Sequence, residues 1–229
     1  GGKILKSDRE VLGEYCFPSE PVHEEKITFR DLSEYENVSF QGFRGDIYVK
    51  EAVIPEGASV IPKSQFFGCR SLEKLHLPES VSVIGDYAFA DCHVLKVWES
   101  IEKLSLKSVG ISAFENCYAL EFVSLPDSLT VIEGAAFAGC VSVNKLIFSD
   151  TALLKKIGDH AFRGCRNLKE VYLPDSVEYV GVSAFRDCVS LEQISVSEKI
   201  KDQPGITELE KNCPNARIRF REVNSVEKE

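Results

Sequence analysis

Apolar positions along this chain recur over a distance too long for one helix or strand, and the pattern inside one period predicts its elements. From residue 75 the order runs Leu75-His76-Leu77-Pro78, then Val81 and Ile84, then Gly85, then Ala88, Phe89 and Cys92. The first three residues alternate apolar, polar, apolar, the signature of a short strand with one buried face. Pro78 ends that strand, because it has no N–H to give to the next ladder bond. Val81 and Ile84 lie three apart on the returning stretch and can face inward together. Ala88, Phe89 and Cys92 stand at i, i+1, i+4 spacing. One or two helical turns are therefore predicted after Gly85, with Asp86 near their start, where a carboxylate suits the positive helix end. One such unit cannot bury its own apolar residues, whereas a stack of them can.

The stack is written in the cysteines. Cys69, Cys92, Cys117, Cys140, Cys165, Cys188 and Cys213 are separated alternately by 23 and 25 residues. Phenylalanine precedes each by three, from Phe66 to Phe185, until Glu210 takes the place in the seventh rung. Leu or Val follows by three in six rungs, and Ile or Val precedes by eight. A period of this length is the mark of a leucine-rich solenoid. The two extra residues of alternate rungs fall just after the strand, at 99–105, 149–153 and 197–201, all on one edge. A rim of insertions can bind a ligand; a duplicated two-rung unit of 48 residues explains the same spacing.

Both ends depart from the pattern, as solenoid caps do. Residues 1–51 lack the spacing and are read as an N-terminal cap, residues 52–199 as six solenoid rungs, and residues 200–229 as a C-terminal cap and tail, whose charged end from Arg221 to Glu229 is expected to fray. In the last part Pro204-Gly205 predicts a turn, Thr207 with Glu210 three residues later a helix start, and Ile218 and Phe220 a final strand.

The rungs Leu125-Pro126-Asp127-Ser128-Leu129, Ile132, Ala136-Phe137, Cys140 and Leu173-Pro174-Asp175-Ser176-Val177, Val180-Gly181, Ala184-Phe185, Cys188 resemble the BspA-like, or Treponema-type, leucine-rich repeats. That family's rung reads LPxSV, IG, AF, C, L. The resemblance implies an α/β solenoid, a right-handed superhelix with short parallel strands on its concave face, short helical turns opposite, and caps at both ends. It also implies a bacterial cell-surface or secreted protein, its leader removed, that adheres to a host or microbial protein.

Composition narrows the function classes. Lys and Arg number 27 against 36 Asp and Glu, a formal charge of −9, which disfavours nucleic acid and anionic membranes as partners. No apolar run approaches the roughly 18 residues of a membrane span. The sequence opens Gly1-Gly2 and has no methionine, so it reads as a trimmed or mature chain. No CxxC occurs, and His23, His76, His93 and His160 show no ligand pairing, so no metal is predicted. Neither GxSxG nor a phosphate-binding glycine loop is present; the chain is read as a non-enzyme without a cofactor. The cysteine column has two readings, buried free thiols or disulfides between neighbouring rungs. One thiol per rung at the same corner favours the first.

Binding is then sought on outward positions. These lie five and seven residues after each cysteine, and they place Phe122, Ile147 and Tyr172 on consecutive rungs with Lys145 and Glu170 beside them and His76 nearer the N-terminus. Exposed aromatics next to charges are what protein-binding hot spots look like; cross-strand pairs that only stabilise the sheet are the other reading. Trp98 is assigned to the core. Arg44-Gly45-Asp46 resembles the tripeptide read by integrins, and its other reading is a turn from cap into first rung. Two further roles stay open, a passive spacer displaying another domain and an intracellular scaffold.

Overall fold

The computed structural model describes residues 26–28, 43–99, 103–149 and 151–222, with side chains omitted at 97–99. Cys16, residues 223–229 and the side chain of Trp98 lie outside that description; the fraying expected from residue 221 onward does not hold for Arg221, which closes the last strand and makes three side-chain hydrogen bonds. The chain winds through about eight turns of a parallel-strand solenoid whose buried residues form one continuous cluster.

Each regular turn has three sides. The first carries the longer strands: β1 (Lys26–Thr28), β2 (Glu51–Val53), β4 (Lys74–His76) and β6 (Val97–Glu99) form one parallel sheet. On the same side β8 (Phe122–Ser124), β10 (Lys145–Ile147), β12 (Glu170–Tyr172), β14 (Gln193–Ser197) and β15 (Arg217–Arg221) form another. Their middle residues, among them Leu75, Val123 and Val171, are buried, as the alternation predicts. The second side is a continuous sheet of two-residue strands: β3 (Val60–Ile61), β5 (Val83–Ile84), β7 (Ser108–Val109), β9 (Val131–Ile132), β11 (Lys156–Ile157) and β13 (Tyr179–Val180).

The third side is not helical, and here the expectation needs correction. The N–H groups of Ala88, Ala90 and Cys92 bond back to carbonyls three residues earlier, while those of Tyr87, Phe89 and Asp91 cross to Ile111, Ala113 and Glu115 of the next rung. An α-helix would turn all these donors inward on itself. Overlapping turns instead leave alternate donors for the neighbouring rung, which is what a stack requires. Two residues per rung adopt the left-handed backbone that makes this possible, five and one before the cysteine, as at Tyr87 (φ 56°) and Asp91 (φ 60°). The second place is filled by Gly, Asn or Asp in all six rungs from Gly68 to Asp187, the residues for which that conformation costs least.

The cysteine corner ties rung to rung. Every ladder Sγ donates to the phenylalanine carbonyl one rung earlier, from Cys69 to Phe43 at 3.0 Å through Cys213 to Phe185 at 3.1 Å. That carbonyl also accepts the N–H of its own rung's cysteine, as Phe66 does from Cys69. The seven thiols are free and buried. Beside them seven phenylalanine rings, Phe43 to Phe185, stack with centroids 5.2–5.5 Å apart.

Phe43 shows that stacking begins inside the segment assigned to the N-terminal cap. Its N–H and that of Gly45 bond to Gln65 and Phe67, the contacts made by each of the next five rungs, from Phe66 to Phe162. Asp46 occupies the place of the missing cysteine.

The serine of the LPxS motif also acquires a role. Ser80, Ser128 and Ser176 donate to carbonyls 22 residues back, at Ala58, Leu106 and Leu154. These serines are 48 residues apart, so each 23-residue rung is stitched to the rung before it, and the coupling favours the duplicated unit as the origin of the alternation. In the C-terminal segment, Pro204 starts a short helix, α1 (Pro204–Thr207), rather than a turn; proline fits there because the first helical N–H has no partner to lose. Thr207 ends α1, its hydroxyl donating to the Pro204 carbonyl, and so is not the start of the next helix. That helix, α2 (Leu209–Asn212), follows Glu208 without a side-chain cap.

Burial pushes the six ladder thiols from Cys92 to Cys213 up, Cys140 to about 12 and Cys213 to about 11. The folded chain therefore keeps protons that an unfolded chain, with thiols near about 8.5, releases. Stability should be undiminished by this effect below about pH 8.5 and fall as pH rises towards 12, by about 1.4 kcal/mol per unit for each thiol. Denaturation midpoints at pH 8 and pH 10.5 check this. The drop should shrink in Cys140→Ala, and an equal drop in that variant would contradict it.

Candidate interaction face

Outward side chains of the long strands form rows across the rungs because the sheets are in register. One row runs Phe122, Lys145, Glu170, Gln193, Arg217. The second contains Ser124 opposite Ile147, and Tyr172 opposite Ser195, which in turn is opposite Arg219. Phe122 thus lies diagonal to Ile147, while the same register sets Ile147 next to Tyr172. All three are exposed, at 39%, 36% and 54%. The five-stranded sheet brings Phe122, Ile147, Tyr172, Lys145 and Glu170 together.

His76 is not part of that group. It belongs to the other long-strand sheet, where its Nε2 lies 3.0 Å from Glu51 Oε1 and Lys26 donates to the same oxygen. The Lys26 bond is the main cause holding the Glu51 carboxyl below its ordinary value.

Tyr172 has a partner that the sequence did not suggest. The Arg221 guanidinium lies 3.8 Å from its ring centre. From there Arg221 donates to Ser195 Oγ at 2.8 Å, the Leu173 carbonyl at 2.6 Å and Asp175 Oδ1 at 2.7 Å. The last strand is thereby clamped over two rungs, and one face of Tyr172 is taken. Residues 26 to 49 positions apart in sequence make these contacts, so only the alternation of β15 could have hinted at them.

The Arg44-Gly45-Asp46 tripeptide is built into the first turn of the stack. Gly45 has φ +74°, like Gly68 one rung later. Arg44 sits over the Phe67 ring at 4.7 Å, and Asp46 Oδ1 accepts the N–H groups of Tyr48 and Val49 at 2.8 and 3.2 Å. This geometry supports the turn-forming reading of the three residues.

On the insertion edge, Asp127 accepts the hydroxyls of Ser149 and Thr151, first Ser149 and then Thr151 lowering its carboxyl from the ordinary value. The hydroxyls anchor the insertion to the rung before. Near the C-terminal end a polar hollow of about 350 Å³ lies between Ser183, Asp187 and Glu208. Glu208 accepts the N–H and hydroxyl of Ser183, taking the place of a next-rung carbonyl. Among the described residues no three His, Cys, Asp or Glu side chains are grouped to hold a metal ion, and no helix is long and apolar enough to cross a membrane.

Comparison with known proteins places this geometry among bacterial repeat proteins. Residues 36–153 and 98–213 match the BspA type leucine rich repeat region, in six copies. No curated protein matches the chain in sequence. A leucine-rich repeat protein of Bacteroides ovatus superposes with a TM-score of 0.55 at 22% identity over 80% of this chain and 63% of that one. The pneumococcal vaccine antigen PcpA gives 0.50 at 28% identity, over 66% of this chain and 37% of its own. The T. pallidum leucine-rich repeat protein gives 0.49 at 26%, over 77% and 74%. The chain thus spans less than two thirds of the Bacteroides and pneumococcal chains.

Replacing Arg221 by Ala should lower stability by about 2 kcal/mol, since three hydrogen bonds from a charged donor are lost. Tyr172 fluorescence should become more accessible to a quencher; an unchanged denaturation midpoint would show that the clamp contributes nothing.

Proposed function

Because the chain belongs to the BspA-type leucine-rich-repeat family, whose members are generally non-enzymatic scaffolds, we propose that it is an adhesin-like module. In this reading it acts at or outside a bacterial cell surface and binds a host or microbial protein through its long-strand face. The observation that carries this is the exposed cluster of Phe122, Ile147 and Tyr172 beside Lys145 and Glu170, displayed from strands whose buried sides are locked into the stack. Rigid aromatic and aliphatic groups lose little freedom on binding, which is why such clusters dominate interface energies. A structural relative named as a vaccine antigen supports a surface location.

A second reading, the passive spacer, is favoured by two observations. The Arg221 clamp gives Tyr172 a structural role without any ligand, and related chains extend well beyond the length matched here.

An array of extracellular-matrix and bacterial surface proteins separates the two. Phe122→Ala/Ile147→Ala should weaken the captured partner about tenfold or more while leaving the fold intact by circular dichroism, because neither side chain belongs to the core. Equal capture by both forms would exclude the face, and no capture by either would favour the spacer.

A further inference from the structure

The long-strand side is charged oppositely to the molecule as a whole. Its outward strand positions carry six Lys or Arg and three Glu, in a chain of net charge −9. Three of the cations stand at alternate positions of one strand, Arg217, Arg219 and Arg221 of β15, and among the described residues that strand is the last of its sheet. Arg221 is spent on the Tyr172 clamp. Arg217 and Arg219 are exposed, and among the described residues neither forms an ion pair.

Arg217 gives its N–H to the Glu192 carbonyl, so by the alternation of a parallel ladder the backbone groups that face away from β14 are those of Ile218 and Phe220, each with an arginine on either side. Charged edges prevent one copy of a protein from pairing with another, and Arg217 and Arg219 facing their own copies would repel. The same arrangement suits a strand of opposite sign, whose backbone would complete the ladder while carboxylates at alternate positions meet the guanidinium groups. The charge pattern therefore selects against a second copy and for an acidic extended segment.

We infer that the edge of β15 facing away from β14, with which no described strand pairs, binds an acidic peptide segment of a protein partner as an added strand, with Asp or Glu at alternate positions opposite Arg217 and Arg219. This rests on the proposed protein-binding role and names the chemistry of the partner. The clamp gives β15 a function here: by fixing Arg221 across two rungs, it holds the edge extended before a ligand arrives.

The test is fluorescence anisotropy with labelled peptides on the full chain. A pentapeptide alternating Asp and Val should bind, and its Lys/Val counterpart should not. Arg217→Glu/Arg219→Glu should weaken binding about tenfold or more, whereas Arg217→Lys/Arg219→Lys, retaining the charge, should lose less. N-methylation of alternate peptide amides should abolish binding if the backbone pairs. Unaltered affinity of the N-methylated peptide, or equal affinity of a sulfated oligosaccharide, would overturn strand addition in favour of general anion attraction. Absence of acidic-peptide binding would overturn the inference outright. Partner capture that still depends on Phe122 and Ile147 would then leave the broader protein-binding reading standing, and loss of peptide binding in Phe122→Ala/Ile147→Ala would place the ligand on the face, not the edge.

Discussion

Register between rungs is the constraint on which everything else in this molecule depends, and it is enforced at one corner. A phenylalanine carbonyl there has two acceptor positions. One takes the N–H of its own rung's cysteine; the other takes the next cysteine's S–H. Each thiol bond is weak on its own, but it repeats without exception across the seven ladder cysteines, next to a column of stacked rings. Cysteine suits this place because it is small, apolar enough to be buried and still carries a donor. Serine would carry a more strongly solvated hydroxyl into the core, and alanine would leave the second acceptor position unused.

Once the corner fixes the register, the opposite side follows. A one-residue slip in any rung would move its apolar set from the core to the surface. The rows on the long-strand side are therefore as well defined as the core. That is how Phe122, Lys145 and Glu170 come into line although they are far apart in the chain, and how Arg221 reaches Tyr172. The long-strand side consists of two sheets, whereas the two-residue strands run unbroken from β3 to β13. His76 and the Phe122 cluster accordingly belong to different sheets.

The repeat was legible because period, cysteine and phenylalanine are properties of single positions. One of the two left-handed places in each rung carries a mark, Gly, Asn or Asp, that the helical reading passed over. The other carries none: Ser64, Tyr87, Ser112, Ala135, His160 and Ser183 share no preference that would mark it. Without that signal, Ala88, Phe89 and Cys92 read as a helical turn, because inward residues spaced one and three apart fit a helix and a run of tight turns equally well. Stacking at Phe43 was hidden by the substitution of Asp46 for cysteine. The outward row was visible by counting from the cysteines. The last strand was visible as an alternation of Ile218 and Phe220, but its arginines gained meaning only when the register put them beside Tyr172 and at an edge with which no described strand pairs. Contacts between residues 48 apart, set by a cap with its own spacing, lie beyond what a pattern along the chain can carry.

The central claim is that the cross-rung bonds join all rungs into one cooperative stack. Native-state hydrogen exchange of the amides of Phe66, Phe89, Phe114, Phe137 and Phe162, each bonded to the following rung, tests it most directly. The account predicts that these five amides exchange only through global unfolding, with a common free energy and a common denaturant dependence. Exchange of any interior one by a local opening well below the global stability would contradict it.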